Sequence, residues 1–300
     1  MTDIGIVGLG VISRQYLDTL LPASGVRIAA VADLDLPRAE AAAEAIPGCR
    51  ALTTAELLSD PGIRTVLNLT IPAAHAEIAL AAIAHGKHVY GEKPLAVDLA
   101  SGKKVMDAAT VAGVRLGSAP DTVLGTGTQT AREVIDEGRI GRPIAATAVM
   151  ASPGPEPWHP NPDFYYLPGG GPLMDMGPYY ISALVHLLGP VTAVVGSASR
   201  LRSERVIGSG PRAGERIPVD VDTHVTGILE HAGGALTTLT TSFDSVKSSA
   251  SPIEIHGETG SLSVPDPNMF SGDVLFCPRG SREWERIDAR SSGSTAHREK

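Results

Sequence analysis

The stretch from residue 4 to residue 13, Ile4-Gly5-Ile6-Val7-Gly8-Leu9-Gly10-Val11-Ile12-Ser13, decides the fold. Its first part is an apolar run, which is typical of a strand buried on both faces of a parallel sheet. A glycine turn follows, and apolar residues then recur at helical spacing. This order predicts a dinucleotide-binding turn, in which Gly8 permits the tight turn and Gly10 lets a pyrophosphate approach the backbone as far as Val11 and Ile12. Because Ser13 replaces the third glycine of that fingerprint, a purely structural glycine turn is the alternative.

Short apolar runs alternate with helical stretches as far as residue 118. The predicted strands are 4–8, 26–32, 66–69, 89–90 and 114–116, and the predicted helices are 11–21, 37–45, 74–85 and 99–112. Strands and helices that alternate at this spacing indicate βαβ units in a doubly wound parallel sheet. We therefore predict an α/β protein whose residues 1–118 form a Rossmann domain that binds NAD(P).

The pattern changes after residue 118. The predicted elements are helices at 131–137 and 179–188, and strands at 144–150, 191–195, 223–229, 236–242, 253–255 and 261–264. Glycine-containing turns join the last four strands into two antiparallel hairpins. A long segment rich in Pro, Gly and aromatic residues, 152–172, has the length of a functional loop. We predict that residues 119–300 form an α+β domain with an open, mainly antiparallel sheet for substrate binding and oligomerisation, and that the polar tail, 291–300, is frayed.

The composition is that of a folded, acidic protein. Hydrophobic residues make up 43% of the 300 residues and charged residues 19%, with a net charge of −8. The acidic balance argues against a nucleic-acid partner, and no cluster of Lys and Arg favours a membrane surface. Two cysteines, Cys49 and Cys277, cannot form a disulfide framework, and no Cys/His spacing indicates a metal site. Since the N-terminus also lacks a signal-peptide pattern, we expect a cytoplasmic protein.

Asp33 ends the second predicted strand, 20 residues after Ser13. A carboxylate at this place can accept hydrogen bonds from both ribose hydroxyls of NAD. A 2′-phosphate beside it would cost roughly 1–4 kcal/mol, which favours NAD over NADP. Arg38 is the counter-argument, because its guanidinium could bind that phosphate. The other interpretation of Asp33 is a helix cap, since Asp33 and Asp35 precede Pro37.

Two further strand ends carry candidate cofactor contacts. Thr70, Pro72 and His75 follow the strand 66–69. Ligands of a doubly wound sheet bind outside the carboxyl ends of its strands, which places these residues near a bound nucleotide. His75 taken alone is more often a helix-start residue that packs locally than a catalyst.

The triplet Glu92-Lys93-Pro94 follows the next strand. A charged turn is the plain interpretation of this triplet. At the carboxyl end of a strand, however, Lys93 supplies a cation where a hydroxyl or carbonyl oxygen develops charge. A cis peptide bond before Pro94 would fix the direction of the lysine.

The segment from Gly169 to Tyr180 opens a helix of the second domain. Asp175 and Tyr179 are four residues apart, so one helical face presents both if the helix begins by Asp175. Pro178 lies between them and opposes that geometry. The alternative is a capping aspartate followed by two packing tyrosines.

Taken together, these motifs resemble the GFO/IDH/MocA family, which includes glucose–fructose oxidoreductase and inositol dehydrogenase. The matching residues, in chain order, are Gly8-x-Gly10, Asp33, Thr70-x-Pro72-x-x-His75, Gly86-Lys87-His88-Val89, Glu92-Lys93-Pro94 and Gly169-Gly170-Gly171-x-x-x-Asp175-x-Gly177. The resemblance runs from residue 3 to about residue 265, and Glu-Lys-Pro after Gly-Lys-His-Val is its most specific marker. It implies a Rossmann domain followed by a domain with a large open sheet.

The resemblance also implies an activity, namely hydride transfer between NAD(P) and a hydroxyl carbon of a sugar, cyclitol or related polyol. It makes Lys93 the catalytic lysine beside the cofactor and Asp175 a catalytic or substrate-binding carboxylate. Asp121, Trp158 and His159 are candidate substrate contacts. The cofactor is expected to be NAD, with NADP as the alternative.

Three departures from the family pattern are visible. Tyr179 stands where many members have His, and Ser182 replaces a later acidic residue. A Lys–Tyr pair is chemically sensible, because a phenol that titrates near pH ~10 is shifted toward the phenolate by a nearby ammonium. Relatives also continue beyond the point where this chain ends, so the C-terminal stretch is expected to be shortened. Either Tyr179 or Lys93 would accept the hydroxyl proton.

Two other functions fit parts of the sequence. One is an NAD(P)-binding sensor or degenerate family member without turnover, motivated by these departures. The other is a transferase that binds S-adenosylmethionine on the same Rossmann plan, in which Glu92-Lys93-Pro94 would have no role. In every case the open sheet needs a cover, which predicts a homo-oligomer, either a dimer or a dimer of dimers.

Overall fold

The computed structural model describes residues 1–289. Backbone contacts divide the chain into two compact units, Met1–Ala119 and a second unit that begins at Pro120. Within residues 1–289, no helix combines the length and apolar character that crossing a membrane requires.

The first unit is a six-stranded parallel sheet with helices between its strands. Its elements are β1 (Thr2–Val7), α1 (Ser13–Leu20), β2 (Val26–Ala32), α2 (Leu36–Glu44), β3 (Arg50–Ala51), α3 (Thr54–Ser59), β4 (Thr65–Asn68), α4 (Pro72–Ala84), β5 (His88–Gly91), α5 (Leu99–Ala112) and β6 (Leu116–Ser118). The strand order is β3-β2-β1-β4-β5-β6, and every pair is parallel. This is the Rossmann order, with its reversal between β1 and β4. The predicted doubly wound sheet is therefore confirmed.

Apolar residues on both faces hold this sheet between its helices. One buried cluster joins the strands to α4 and α5 through residues such as Ala82 and Val105. Another joins them to α2 through Ala39, with Leu17 and Leu20 of α1 packed against it. Because both faces are covered, the strands have the continuous apolar runs from which they were predicted.

Short elements account for the errors in the first unit. Strand β3 and helix α3 were not predicted, because two and six residues show no periodicity, although Thr53 and Glu56 form a capping box at the start of α3. Strand β6 begins at Leu116 and not at residue 114. The reason is that Gly113 ends α5 in the left-handed conformation and the N–H of Val114 donates to the carbonyl of Ala109 (3.1 Å), so Val114 belongs to the helix cap.

As far as residue 289, the second unit has two helices and an eight-stranded mixed sheet. Its elements are α6 (Thr126–Asp136), β7 (Pro143–Ala151), α7 (Pro172–Leu188), β8 (Val191–Ser199), β9 (Glu204–Val206), β10 (Arg216–Pro218), β11 (His224–His231), β12 (Leu236–Ser242), β13 (Ile253–Gly257), β14 (Gly260–Val264), β15 (Val274–Pro278) and β16 (Glu285–Ile287), with 3₁₀ turns at Asp121–Leu124 and Asp163–Tyr165. The sheet order is β16-β15-β14-β13-β7-β12-β11-β8, and β9 pairs separately with β10.

All pairs of the large sheet are antiparallel except β7 with β12, which is parallel. The predicted α+β class, its mainly antiparallel sheet and both hairpins are confirmed. The predicted frayed tail, 291–300, lies outside the described residues.

Helix α7 begins at Pro172, so the predicted start at residue 179 was wrong. Pro178, which was expected to oppose the joint geometry of Asp175 and Tyr179, lies inside the helix, where it has no N–H to donate to the preceding turn. Gly171 precedes α7 with a φ of +87°, and its carbonyl accepts from the N–H of Asp175 at 2.9 Å. Helix α6 likewise begins at Thr126, earlier than the predicted residue 131.

One face of the large sheet packs against α6 and α7, and the residues that the structure describes leave the other face open. Leu184 and Leu187 of α7 pack with Ile253 and Leu262 of the sheet in the largest buried cluster. On the open face, a row of directly paired, exposed residues crosses four strands. The row consists of Thr147, Thr238, Ile228 and Val195, on β7, β12, β11 and β8. We call this row the open-face row.

Candidate functional site

The glycine turn after β1 has the shape that a dinucleotide needs. Gly8 has a φ of +94°, and a Cβ there would lie 2.7 Å from the backbone of Leu69, so only glycine fits beside the end of β4. At Gly10 a Cβ would meet nothing within 4 Å, so the outer side of the turn is open. Val11 is exposed and Ile12 is half-buried. The turn thus leaves room where the fingerprint places a pyrophosphate, and these residues fit NAD.

Asp33 links the end of β2 to this turn. Its Oδ2 accepts from the N–H of Leu9 at 2.7 Å, and its Oδ1 accepts from Arg38 Nη1 at 3.2 Å. The helix-capping role falls to Asp35, whose side chain accepts from the N–H of Arg38 at the start of α2. Arg38 also pairs with Asp35 at 3.1 Å, so its guanidinium is held by two carboxylates.

We expect Asp33→Asn to shift the nucleotide preference toward NADP. The amide oxygen of Asn can still accept from Leu9, but the negative charge that repels a 2′-phosphate is gone and Arg38 keeps only one carboxylate. The ratio of the NADPH to the NADH dissociation constant should fall about tenfold or more, which corresponds to the lower part of a contact repulsion of roughly 1–4 kcal/mol. Fluorescence titration with both nucleotides measures it. Asp35→Asn is the control, and an equal change in both variants would contradict this role of Asp33.

A second group of candidates meets at the carboxyl ends of β4 and β5. Asn68, the buried last residue of β4, accepts from the Thr70 hydroxyl at 2.7 Å and donates to the carbonyl of His75 at 3.0 Å. The imidazole of His75 is 3% exposed; its Nε2 lies 2.9 Å from the carbonyl oxygen of Thr70 and its Nδ1 lies 2.6 Å from that of Pro94. Pro72 is the first residue of α4.

Glu92 is also buried, at 7% exposure. Its Oε1 accepts from the Tyr16 hydroxyl at 2.7 Å and its Oε2 accepts from the N–H of Lys93 at 3.0 Å. Lys93 is half-buried, and the peptide bond between Lys93 and Pro94 is cis. The first unit therefore brings Thr70, His75, Glu92 and Lys93 together at one edge of its sheet.

Sequence reasoning missed two members of this group. Tyr16 fits the apolar spacing of α1, so nothing marked its hydroxyl as a partner of a carboxylate far along the chain. Asn68 left a signal, because an amide that ends a buried strand needs hydrogen-bond partners.

In the second unit, α7 carries Asp175 and Tyr179. Since the helix begins at Pro172, the two residues lie one turn apart on the same face, which was the condition for their joint action. Tyr179 is buried. The 3₁₀ turn that begins at Asp121 packs against α7.

Tyr165 joins this pair and was not predicted. Burial raises the pKa of the Tyr165 phenol, and electrostatic interactions with Asp175 and Tyr179 raise it further. The phenol of Tyr165 therefore stays protonated at working pH and can donate a hydrogen bond. Its aromatic loop was the only signal in the sequence.

Trp158 and His159 belong to an aromatic cluster around Tyr165. The rings of Phe164 and His159 lie 4.1 and 5.5 Å from the Tyr165 ring, and the Trp158 ring lies 6.5 Å from it. Trp158 is 64% exposed. The N–H of Asn161 donates to His159 Nδ1 at 3.1 Å, and burial lowers the pKa of His159. A neutral His159 with its proton on Nε2 follows.

A buried charged network fixes the loop that carries these rings. Arg205 of β9 donates to Glu156 Oε1 at 2.9 Å and to Asp244 Oδ1 at 2.6 Å. Glu156 in turn accepts from the hydroxyl of Tyr166, which is fully buried, and Thr223 donates to Asp244 at 2.5 Å. We call these groups the Arg205 network. The loop is thereby anchored on both sides of Trp158.

The comparisons with known proteins agree over both units. A family model described as "Oxidoreductase family, NAD-binding Rossmann fold" matches residues 2–119, and one described as "GFO/IDH/MocA C-terminal domain" matches residues 128–263. A curated relative, 1,5-anhydro-D-fructose reductase from Ensifer adhaerens, is 31% identical over 269 residues, which are 87% of this chain and 75% of the relative. The chain belongs to the GFO/IDH/MocA family. It is an NAD-binding oxidoreductase, and the predicted family, enzyme class and cofactor are confirmed.

Other members of the GFO/IDH/MocA family match over similar lengths. Myo-inositol 2-dehydrogenase from Thermotoga maritima is 26% identical over 261 residues, 86% of this chain and 74% of the relative. The solved structure of an NAD binding oxidoreductase from Klebsiella pneumoniae superposes with a TM-score of 0.80 at 26% identity, over 96% of this chain and 80% of the other. Levoglucosan dehydrogenase in complex with NADH and L-sorbose has the same fold, with a TM-score of 0.78 at 23% identity over 95% and 79% of the two chains.

Proposed function

We propose that this GFO/IDH/MocA family member transfers hydride between NAD and a hydroxyl-bearing carbon of a sugar, cyclitol or related polyol. The observation that carries the proposal is the position of Lys93. Its backbone is held at the carboxyl edge of the same sheet that presents the glycine turn. The names of the two curated relatives, an anhydrofructose reductase and a myo-inositol dehydrogenase, support the substrate class.

In the cofactor half, each residue has a proposed task. Gly8, Gly10, Val11 and Ile12 hold the pyrophosphate. Backbone N–H groups on the helix side of the turn are its donors, because those of Gly8 and Leu9 already donate to Ala32 and Asp33. Asp33 and Arg38 lie at the ribose and determine the preference between NAD and NADP. The other residues predicted to bind the cofactor lie at the strand ends. Of these, Thr70, Pro72 and Lys93 contact it, whereas His75 and Glu92 are hydrogen-bonded to protein groups. Bound NAD supplies the acceptor for the hydride.

In the chemical step, the C–H bond gives up a hydride and the O–H bond of the same carbon gives up a proton. Either Lys93 or Tyr179 accepts this proton, and Asp175 orients the hydroxyl. Asp121, Trp158 and His159 contact the rest of the substrate, and the aromatic rings offer faces to the C–H groups of a polyol ring. Tyr165, as a protonated phenol, donates a hydrogen bond beside Asp175.

One experiment tests the function directly. NADH binding is measured by fluorescence, and NAD reduction is then followed by absorbance with a panel of cyclitols, aldoses, ketoses and anhydro sugars. Turnover with at least one cyclic polyol is expected. Tight NADH binding with no redox change across the panel would favour the NAD-binding sensor.

The proposal includes a homo-oligomer, a dimer or a dimer of dimers. The open-face row is uncharged, and Val195 is 65% exposed within it, so an unpaired sheet face of this kind favours burial against another copy. Size-exclusion chromatography with light scattering should give at least twice the chain mass. Val195→Glu should shift the protein toward monomer, since burying an unpaired charge is costly. A monomeric wild type would overturn this part.

We also propose the assignment of residues 1–118 to NAD binding and of residues 119–300 to substrate binding and oligomerisation. A cytoplasmic location is supported by Cys49 and Cys277, which are both free thiols. The acidic charge supports the absence of nucleic-acid and membrane partners.

A further inference from the structure

We propose that His75 and the Tyr16–Glu92 pair are positioning residues that fix the backbone on both sides of Lys93. The inference rests on the proposed catalytic role of Lys93. It assigns His75 and Glu92 to the support of the lysine and not to contact with the cofactor. It adds Tyr16, to which no role in the reaction has been given above.

The first step is the hydrogen bonding of the lysine's flanking backbone. The N–H of Lys93 donates to Glu92 Oε2 at 3.0 Å, and the carbonyl oxygen of Pro94 lies 2.6 Å from His75 Nδ1. The chain is thus held by a buried side chain immediately before the lysine side chain and again one residue after it. The Lys93 Cα lies between the two anchors and cannot shift without breaking one of them.

The second step is that each anchor is itself fixed at its other end. His75 Nε2 lies 2.9 Å from the carbonyl oxygen of Thr70, so the ring bridges the ends of β4 and β5. Glu92 Oε1 accepts from the hydroxyl of Tyr16 on α1, the helix that follows the glycine turn. The position of Lys93 is therefore tied to the elements that carry the nucleotide-binding turn.

The third step is that the polar side-chain atoms of His75 and Glu92 are already engaged with protein groups. Both nitrogens of His75 face backbone carbonyls within a side chain that is 3% exposed. A neutral imidazole can donate to one of these carbonyls and an imidazolium to both, so each bond the ring makes is to the backbone. Both oxygens of Glu92 likewise accept from protein donors. Side chains whose polar atoms all contact protein groups are suited to holding the backbone around Lys93 in place.

Three variants separate positioning from packing. His75→Leu keeps apolar volume and removes both ring nitrogens, whereas His75→Gln keeps an amide donor. His85→Leu, at the exposed C-terminal end of the same helix, is the control. Displacement of a catalytic group by about 1 Å can lower a rate by on the order of 100-fold. For His75→Leu we expect kcat to fall about 10- to 100-fold with the NADH dissociation constant within about threefold of wild type, and His75→Gln should recover part of kcat.

A readout without turnover keeps this test independent of the proposed reaction. Reductive methylation of the apo protein, followed by peptide mass spectrometry, gives the modification rate of the Lys93 amine. His75→Leu should change that rate at least about threefold while Lys103 and Lys104 on α5 react as in wild type, because only Lys93 loses its support. If His75→Leu fails to fold, Tyr16→Phe tests the other anchor in the same assays.

The outcomes distinguish the two proposals. If both the Lys93 modification rate and kcat of His75→Leu and Tyr16→Phe match those of His85→Leu, the positioning role is wrong. If both variants alter Lys93 reactivity as expected, but Lys93→Ala retains wild-type turnover, the support is real and the catalytic role of Lys93 is wrong.

Discussion

Lys93→Ala should lower kcat by about 10²–10⁴ while NADH binds with nearly wild-type affinity. Loss of a positioned acid–base or cationic group costs a rate of this order. The backbone contacts of residue 93 survive in the variant, because Glu92 accepts from the N–H of residue 93 and not from its side chain. The glycine turn and Asp33 are also untouched. Steady-state kinetics with the substrate found in the polyol panel, together with NADH titration, measure both quantities.

The controls for Lys93 decide between the two candidate proton acceptors. Lys104→Ala removes an exposed lysine of α5 and should leave kcat unchanged. Tyr179→Phe removes only the phenolic oxygen; a loss as large as that of Lys93→Ala assigns the proton to Tyr179, and a small loss assigns it to Lys93. Wild-type turnover of Lys93→Ala would remove the basis of the proposed reaction.

Arg205→Met should destabilise the second unit by about 3–5 kcal/mol. The substitution leaves the buried carboxylate of Glu156 and the half-buried carboxylate of Asp244 without their cation, and breaking a buried ion pair from one side has a cost of this size. Both tryptophans, Trp158 and Trp284, lie in the second unit, so denaturant unfolding followed by their fluorescence reports on that unit.

A matched control lies on the neighbouring strand. Arg216 of β10 pairs with Glu204 of β9, but the two side chains are 71% and 54% exposed. Arg216→Met should therefore cost less than about 1 kcal/mol. If Arg205→Met and Arg216→Met were equally stable, the Arg205 network would not anchor the aromatic loop in the way described.

The sequence was sufficient for the features that depend on neighbouring residues. Gly8 and Gly10 were predicted because a strand, a turn and a helix follow each other within a few residues, and Asp33 was predicted from its place at the end of the next strand. The covered parallel sheet was predicted because strands buried on both faces have continuous apolar runs. The hairpin of β11 and β12 was predicted because its turn contains two glycines.

For features that depend on residues distant in the sequence, either the residue was missed or its position was predicted without its hydrogen-bond partners. His75 and Glu92 were correctly placed at strand ends, but their hydrogen bonds to Pro94 and Tyr16 join segments 19 and 76 residues apart. Tyr165 was missed because its approach to Asp175 depends on how the aromatic loop folds back on α7. The predicted start of α7 was wrong because Gly177 and Pro178, which are poor helix formers, lie inside the helix.

The central place of β7 in the second sheet has a consequence for how the polypeptide matures. This strand is the first of its sheet to leave the ribosome, and both of its neighbours, β12 and β13, begin more than 80 residues later. Until β12 and β13 have been synthesised, β7 has no neighbouring strands to pair with and its apolar side chains stay exposed. Closing the long loop between β7 and these strands is also slow. The nascent second half is therefore expected to need shielding by a chaperone for longer than the first, whose β1 and β2 pair across a single short helix.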